Sequence, residues 1–297
     1  MSGTPERLFV RTETESLLRP FPDPSVSTFG EAVPSPRLRE HVVRFHFGHE
    51  RLPHDAPVDE RVIPDGGVNL IFNLGDPPGR PDGAPTGISE AIGATLEPAV
   101  IRMQGNVEQV GVRLRAGGIA QVLGVPAGEV AGKLVPLDAL WGARAGEALE
   151  RLAESPPGPA RAAAVEAVLL EILGRGNPKP SEVAAEAVRR ISASGGRVRV
   201  RELAAALGVG ERRLEQLFHR DVGLSPKAAC RLARFRACVS LLRRGPGQSW
   251  SRLALRCGFY DQSHMVNEFR ALSGLSPGDF AARSGFGFFQ DGATARR

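Results

Sequence analysis

One short stretch of the sequence carries amide and hydroxyl side chains at positions that do not look like a core. It is GFYDQSHMVNEFRALSGLSP, residues 258–277. Its apolar side chains recur at a spacing that could anchor a short helix: Phe259, Met265, Val266 and Phe269. Gln262, Ser263 and Asn267 would share another face of that helix. Because an amide can form two hydrogen bonds with adenine, and an arginine with guanine, such a face is suited to reading DNA bases.

The same pattern occurs twice in the C-terminal third of the chain, so this region contains an internal repeat. The pairs at an offset of 51 residues are Leu214 with Met265, Phe218 with Phe269, and GLSP at 223–226 with GLSP at 274–277. The pairs at an offset of 50 residues are Ala204 with Ala254 and Gly208 with Gly258. The slip of one residue falls in a turn, where an insertion is tolerated.

Each copy reads as a short helix, a glycine turn and a second helix, which is the layout of a helix-turn-helix. The first helices are VRELAAALG and WSRLALRCG, and the second helices are closed by Gly223 and Gly274. A second helix fits the DNA major groove only when the first braces it from behind. The face that contacts the bracing helix includes Leu214, Leu217, Phe218, Met265, Val266 and Phe269. Asp261, Ser225-Pro226 and Ser276-Pro277 are expected to start helices.

The opposite side of both second helices supplies the candidate DNA contacts. They are Arg212, Arg213, Gln216, Gln262, Ser263, Val266 and Asn267, with Arg244 as a phosphate anchor. Weaker candidates are Arg201, Arg234, Arg236, Arg243 and Arg270. The alternative for all of these side chains is an ordinary solvated surface. The charge favours nucleic acid, because residues 197–297 hold 18 Arg or Lys and 8 Asp or Glu, a balance of +10, whereas residues 1–196 have a balance of −5.

A chain of 297 residues with 42% hydrophobic content can form two domains with separate cores. We expect an irregular lead-in at 1–35, with a short helix beginning near PSPRL. A β-rich N-terminal domain with a helical connector follows at 36–176. The DNA-binding domain spans 177–284, after a hinge near 176–180, and a C-terminal tail spans 285–297.

Within the N-terminal domain, two stretches show the period-two alternation of strands with one buried face. The alternating apolar residues are Val43, Phe45 and Phe47 in one stretch and Val68, Leu70, Phe72 and Leu74 in the other. Two further extended runs are AVIRMQ and VEQVGVRLR, and GDPPGRPDGAPTG reads as a loop. After Arg115, helices are expected in AGGIAQVLG, LDALWG and RAAAVEAVLLEILGRG. A helix from Ser181 to about Ala193 precedes the repeat.

Other functional classes have little support in the sequence. GLSPG at 274–278 matches the G-x-S-x-G of serine hydrolases, but its twin GLSPK in the first copy indicates that Ser276 is a helix cap. The histidines that could suggest a metal lack a ligand spacing: His41, His46, His49 and His54. Cys230, Cys238 and Cys257 are expected to be buried thiols. We therefore expect no enzyme, cofactor or metal, and, without a membrane-spanning segment or leader, a cytoplasmic protein.

The double unit resembles the C-terminal DNA-binding domain of AraC/XylS-type transcriptional regulators. The resemblance rests on LAAALGVGERRLEQLFHRDVGLSPK, the linking helix ACRLARFRACVSLLRR, and LALRCGFYDQSHMVNEFRALSGLSP, and covers about residues 182–284. It implies a bacterial regulator that places both recognition helices in successive major grooves of one DNA face. Gly210 stands where the family often has a capping Ser, and Glu215 lies on the reading face, so base preference is not carried over.

The N-terminal part, with RVIPDGGVNLIFNLGDPP and GVRLRAGGIAQVLGVPAGEV, looks like the variable β-rich domain that precedes this module in one subgroup of the family. In the family such domains sense small molecules, dimerise, or both. The implied fold class is α+β, with a β-rich sensor-like domain, a helical connector and an all-α domain of two helix-turn-helix units joined by a long helix. The expected partners are double-stranded DNA, RNA polymerase, a small-molecule effector and a second copy of the chain. The alternative is a ligand-binding or interaction protein whose basic C-terminal module docks a protein partner.

Overall fold

The computed structural model describes residues 6–12, 15–18, 27–83, 86–174, 181–244 and 249–283. Side chains are described in these ranges except at 11, 12, 15–18, 27, 28, 243 and 244. The predicted hinge at 176–180 and the predicted tail at 285–297 therefore lie outside the described residues.

The N-terminal half forms two β-sheets. The strands in its described part are β1 (Glu6–Thr12), β2 (Glu15–Leu18), β3 (Ser27–Ala32), β4 (Val42–Leu52), β5 (Val58–Val62), β6 (Asn69–Asn73), β7 (Ser89–Ile92), β8 (Ala99–Met103), β9 (Gly105–Leu114) and β10 (Leu134–Pro136). A six-stranded sheet has the order β10-β7-β6-β9-β4-β3, and a four-stranded sheet has the order β2-β1-β5-β8. Neighbouring strands are antiparallel, apart from the parallel pair β1 and β5.

Alternating apolar side chains place one face of the six-stranded sheet in a core. Val68, Leu70 and Phe72 are buried as their period-two spacing predicts, and β9 contributes Val110 and Val112. The two predicted extended runs correspond to β8 and β9. The sequence therefore identified the central strands correctly.

Two helices lie between β9 and β10, and three more follow β10. Their apolar residues pack against this core. These helices are α1 (Ile119–Leu123), α2 (Ala127–Val130), α3 (Leu137–Trp141), α4 (Arg144–Glu154) and α5 (Pro159–Leu173). Trp141 lies 6.2 Å from Phe72, measured between ring centroids, and its indole Nε1 donates to the Val122 carbonyl at 2.9 Å. The helices expected after Arg115 correspond to α1, α3 and α5. No helix in the described ranges is both long and apolar enough to cross a membrane.

The structure corrects the expectation of an irregular lead-in at 1–35, because β1, β2 and β3 lie within it. Leu8 and Val10 of β1 are buried, and Arg7 donates to both Glu60 and Glu50 at 2.7 Å, which ties the two sheets together. Its parallel partner β5 comes about 50 residues later, and its other partner, β2, is only four residues long, so the local sequence gives a weak signal for the strand. The short helix expected at PSPRL is a turn.

Strand β4 departs from the simple alternation predicted for it. Phe45 is buried, but Val43 and Phe47 are only half-buried, while His46 is buried on the other face. A register shift next to Val42 breaks the alternation, as bulges do. His46 faces Gly111, where a Cβ atom would lie 1.8 Å from the imidazole, so the glycine makes room for the ring.

The C-terminal half consists of helices in its described part. They are α6 (Glu182–Ala193), α7 (Val200–Ala206), α8 (Glu211–Asp221), α9 (Pro226–Arg244), α10 (Trp250–Arg256), α11 (Gln262–Ser273) and α12 (Pro277–Arg283). Helices α7 and α8 form the first helix-turn-helix, α10 and α11 form the second, and α9 is the predicted linking helix. This arrangement confirms the predicted fold class.

Each helix-turn-helix unit has its own core, and α9 contributes to both. Ile191, Leu203, Leu214 and Phe218 are buried together in the first core. In the second core, Phe235 of α9 lies 4.8 Å from Phe269 of α11, and Phe280 completes an edge-to-face aromatic cluster.

The N-terminal domain packs against both units. The second core includes Leu8, Val10 and Ile63 from the N-terminal sheets. At the first unit, the Gly117 amide donates to the Asp221 carbonyl at 2.9 Å, next to the end of α8. The C-terminal half is therefore docked on the N-terminal half through two separate contacts.

We predict that Leu8→Ala lowers the free energy of unfolding by about 2–5 kcal/mol, because it removes a buried side chain from β1. Val33→Ala is the matched control, since this side chain is 76% exposed, and should change stability by less than about 0.5 kcal/mol. Urea denaturation followed by far-UV circular dichroism measures both. If both substitutions lower the free energy of unfolding equally, Leu8 is not part of the core, and the expectation of an irregular lead-in would be supported instead.

Candidate nucleic-acid interface

Helix α8 presents a polar face because its apolar residues are buried on the other side. Leu214 and Phe218 are buried in the core that α8 shares with α6, α7 and α9, and Leu217 is buried as well. The predicted contacts Arg212, Arg213 and Gln216 are exposed, as is Glu215. The face predicted for base reading is therefore free of intramolecular packing.

Helix α11 repeats this arrangement in the second unit. Met265, Phe269 and Leu272 are buried, whereas Gln262, Ser263 and Asn267 are exposed. Val266, predicted both to brace the helix and to touch DNA, is half-buried between the two faces. The Asp261 Oδ1 accepts from the His264 amide at 2.7 Å, which confirms the predicted N-cap.

The two recognition helices begin differently. Asp261 caps α11, but Gly210 occupies the equivalent place before α8 and offers no side-chain oxygen to the first turn. Gly208 and Gly258, in the turns before these helices, have φ values of +69° and +80°. Residues with a side chain rarely adopt this left-handed conformation, so the repeated glycines set the turn in both copies.

Polar contacts connect both helices to their neighbours, in the middle of α11 and at the end of α8. Arg231 of α9 donates to both carboxylate oxygens of Glu268 on α11, at 3.0 and 3.1 Å. At the end of α8, Arg220 donates to both oxygens of the neighbouring Asp221, and these hydrogen bonds raise the pKa of Arg220. The Asp221 carboxylate also accepts from the Ser181 amide at the start of α6. These contacts hold the reading helices on their supports.

The length of the linking helix α9 can be compared with the distance between consecutive major grooves of DNA. Its 19 residues span about 28 Å at a rise of 1.5 Å per residue. One turn of B-DNA is about 34 Å, so an element of this size suits two units that bind consecutive grooves.

The other arginines predicted from the sequence have different environments. The Arg234 guanidinium donates to the Gly196 carbonyl at 2.9 Å, so it connects α9 to the turn after α6. Arg201 and Arg270 are exposed, and Arg236 is half-buried. The side chains of Arg243 and Arg244 lie outside the described residues. Arg244 as a phosphate anchor thus stays a prediction.

The structure adds three residues that sequence reasoning did not single out. Glu211 is exposed on the first turn of α8, at the place that Gln262 has in α11, and the offset of 51 could have identified it. Ser251 of α10 donates its hydroxyl hydrogen to the Gln262 Oε1 at 3.0 Å. Tyr260, next to the start of α11, is 86% exposed.

The structure also bears on the competing kinds of site. The Ser276 Oγ accepts from the Asp279 amide at 3.2 Å, which confirms Ser276 as a helix cap. Among the residues described, no group of three or more His, Cys, Asp and Glu side chains could hold a metal ion. Cys230, Cys238 and Cys257 are buried free thiols, as predicted.

Two family models match the chain. One is described as a helix-turn-helix domain and matches residues 203–283, and the other is a domain of unknown function (DUF6597) that matches residues 30–136. No curated protein matches. The first match covers both units and the linking helix, and the second covers most of the six-stranded sheet.

Several solved structures are similar to parts of the chain. A transcriptional regulator with an AraC-type DNA-binding domain from Chromobacterium violaceum is 25% identical, with 34% of this chain and 91% of that chain covered and a TM-score of 0.32. A probable AraC family transcriptional regulator from Rhodopseudomonas palustris is 25% identical, with 35% and 98% covered and a TM-score of 0.32. ToxT from Vibrio cholerae is 12% identical, with 80% and 97% covered and a TM-score of 0.42.

We predict that Asp261→Ala lowers the free energy of unfolding by about 1 kcal/mol, because the first turn of α11 loses its capping oxygen. Asp261→Asn keeps a side-chain acceptor and should be close to the unsubstituted protein. Chemical denaturation of the three proteins under the same conditions gives the comparison. A loss of the same size in both variants would show that the carboxylate charge, and not the cap, stabilises the helix.

Proposed function

Because the chain carries the double helix-turn-helix domain of AraC-type transcription regulators, we propose that it binds a specific double-stranded DNA site by placing α8 and α11 in successive major grooves. The observation that carries the proposal is the pair of equivalent helices, each with a buried apolar side and an exposed polar side. The major groove of B-DNA is wide enough to admit an α-helix.

The exposed residue types suggest a division of roles. Gln216, Gln262 and Asn267 carry amides, which pair bidentately with adenine, and Arg212 can pair with guanine in the same way. Glu215 carries a carboxylate, which accepts a hydrogen bond from cytosine. Ser263 and Val266 complete the face of α11, where the methyl groups of Val266 can contact thymine. Arg213 and Arg244 are assigned to phosphates, where charge matters more than base identity.

Several partners belong to the same proposal. A regulator of this kind acts at a promoter in the bacterial cytoplasm, where RNA polymerase is a further partner, and a second copy of the chain would allow two sites to be bound together. A protein whose basic domain only docks another protein is the competing possibility. Salt separates the two, because DNA binding should weaken steeply between about 50 and 200 mM salt as counterions re-bind to the DNA, and protein docking should respond less.

We predict that Arg212→Ala and Gln262→Ala each relax the preference at one or two base pairs, with a loss of about 1–3 kcal/mol of discrimination. Arg244→Ala should instead weaken binding to every sequence alike and lower the salt slope by about one. The target site is first located by genomic footprinting, and binding is then titrated against all its single-base variants. If Arg212→Ala and Gln262→Ala lower affinity for all variants by one factor, these helices do not read bases.

The site of a small-molecule effector is proposed from a cleft between the two halves. The cleft has a volume of about 840 Å³ and lies between the six-stranded sheet and helices α6 and α9. Apolar residues form much of its wall: Val43, Leu114, Ile191, Val222, Leu224 and Leu232. Cavities of about 300–1,000 Å³ with mainly apolar walls are typical of small-molecule sites. A molecule bound here would touch both halves at once.

Several of the charged residues in the lining of the cleft are paired with each other, although Arg115, Glu182 and Arg236 also line it. Arg44 pairs with Glu31 at 3.0 Å and Arg113 with Asp65 at 2.5 Å on the sheet side. On α6, hydrogen bonds from Arg189 and then Arg190 lower the pKa of Glu186 to about 2. Because these charges satisfy each other, the apolar wall is left to provide most of the affinity for a ligand. The proposed effector is therefore a largely apolar small molecule.

We predict that Ala185→Trp changes the affinity for the footprinted site by at least about fivefold, because the indole occupies the cleft between the two halves. Ala193→Trp, at an exposed position on the same helix outside the cleft, is the control and should leave affinity unchanged. Fluorescence anisotropy measures binding, and thermal unfolding shows that both variants are folded. Equal affinities of the two variants would argue against coupling between this cleft and the DNA-binding units.

A further inference from the structure

We infer that Ser251 is a positioning residue for DNA reading, which acts by fixing the amide of Gln262. The Ser251 hydroxyl donates to the Gln262 Oε1 at 3.0 Å, from α10 to the first turn of α11. Both side chains are exposed on the side where α11 presents Ser263 and Asn267. The inference rests on the proposed function, since it concerns how one of the proposed reading residues is held.

A glutamine needs such a partner more than most reading residues do. Its side chain has three rotatable bonds, so ordering it costs conformational entropy. A half-turn of the amide exchanges the acceptor and the donors, so an unrestrained Gln262 could present either to a base. A hydrogen bond to Oε1 defines which end of the amide is the acceptor. Ser251 therefore reduces the entropy cost of ordering the Gln262 side chain on DNA, and it fixes which end of the amide accepts a hydrogen bond.

The hydrogen bond leaves the groups that adenine requires. Oε1 has two lone pairs and gives one to Ser251, while both N–H groups of Nε2 stay available. In the major groove, adenine offers an N7 acceptor and an N6 amino donor. The remaining lone pair and one N–H match these two groups. The base assigned to a Gln262 held in this way is adenine.

The positions of both partners are themselves fixed by the fold. Ser249 caps α10 by accepting from the Arg252 amide, and Asp261 caps α11. Buried Leu253 and Phe259 hold α10 and the following turn in the second core. Since Ser251 and Gln262 lie on the first turns of two anchored helices, their separation is set by the helix-turn-helix itself.

The first copy has residues of complementary type at the same two places. Arg201 corresponds to Ser251 at an offset of 50, and Glu211 corresponds to Gln262 at an offset of 51; both are exposed. A guanidinium donor and a carboxylate acceptor replace the hydroxyl donor and the amide acceptor. The combination of a donor on the first helix and an acceptor at the start of the second is thus present in both units.

The effect should be seen in specificity more than in stability. In the free protein the hydrogen bond is exposed to water, where it contributes little. When α11 enters the groove, water is displaced and the same hydrogen bond becomes stronger. Loss of the hydroxyl should then reduce discrimination at the base pair read by Gln262 by about fivefold, the factor that corresponds to one ordinary hydrogen bond.

The test is a double-mutant cycle in the full chain, with Ser251→Ala, Gln262→Ala and both together. Each protein is titrated against the single-base variants of the footprinted site. Ser251→Ala should lower discrimination at the same base pair as Gln262→Ala, leave other positions and the salt slope unchanged, and have no further effect in the Gln262→Ala background. Ser251→Thr keeps the hydroxyl and should preserve discrimination.

Other outcomes separate base reading by α11 from the role of Ser251. If Gln262→Ala weakens binding to every site variant alike, base reading by α11 fails, and the inference fails with it. If Gln262→Ala affects one base pair but Ser251→Ala weakens all variants and lowers the salt slope, Ser251 contacts phosphate and only the inference is overturned. Only the inference about Ser251 is overturned, too, if Ser251→Ala leaves discrimination unchanged, or if the effects of Ser251→Ala and Gln262→Ala on discrimination simply add.

Discussion

Helices α8 and α11 both depend on the burial of one shared element, the linking helix α9. Cys230, near its start, is buried in the first core, while Phe235, Val239 and Leu242 are buried in the second. The positions of α8 and α11 relative to each other are therefore set by a single rigid rod and its two apolar contacts. A tethered pair of independent units would have to lose orientational freedom on binding DNA, and this cost is reduced when the fold has already removed that freedom.

The second constraint is the docking of the N-terminal domain. A β-strand completes the core of the second unit, and the loop before α1 is hydrogen-bonded to the end of α8 in the first unit. Glu6 of that strand pairs with Arg61 and with Arg283 of α12, and the hydrogen bond from Arg61 lowers the pKa of Glu6. A change in the N-terminal sheets can thus reach both units through direct contacts.

The features that the sequence predicted are those encoded locally. The helix caps at Asp261 and Ser276, the repeated turn glycines and the apolar stripes of α8 and α11 each involve residues within a few positions of one another. A duplicated unit also reveals itself by comparison with its own copy. The candidate reading faces could therefore be assigned from the amino-acid pattern, whereas the partner of Gln262 could not, because Ser251 lies on another helix and an exposed serine has no distinctive pattern.

The structural features that the sequence-based prediction missed depend on contacts between residues far apart in the chain. Strand β1 lies between the four-residue strand β2 and its parallel neighbour β5, which comes about 50 residues later, so the sequence around Leu8 and Val10 carries only a weak strand signal. On β4, Phe45 and Phe47 keep the predicted face, but a register shift between Val42 and Arg44 disturbs the alternation at Val43, and His46 is buried on the opposite face beside a glycine on β9. Such effects arise from pairing and packing between strands, and single-sequence periodicity carries no information about them.

The packing of β1 on the second helix-turn-helix has a consequence for the order of folding. The pair Arg283 and Glu6 joins residues 277 positions apart, and the buried core around it includes both Leu8 and Phe280. During synthesis, β1 leaves the ribosome long before α12, and closing so large a loop is slow compared with forming local contacts. Strand β1 must therefore wait, without its contacts to the second core, until α12 has been synthesised. The core of the second helix-turn-helix is therefore completed late, only once β1 and α12 have come together.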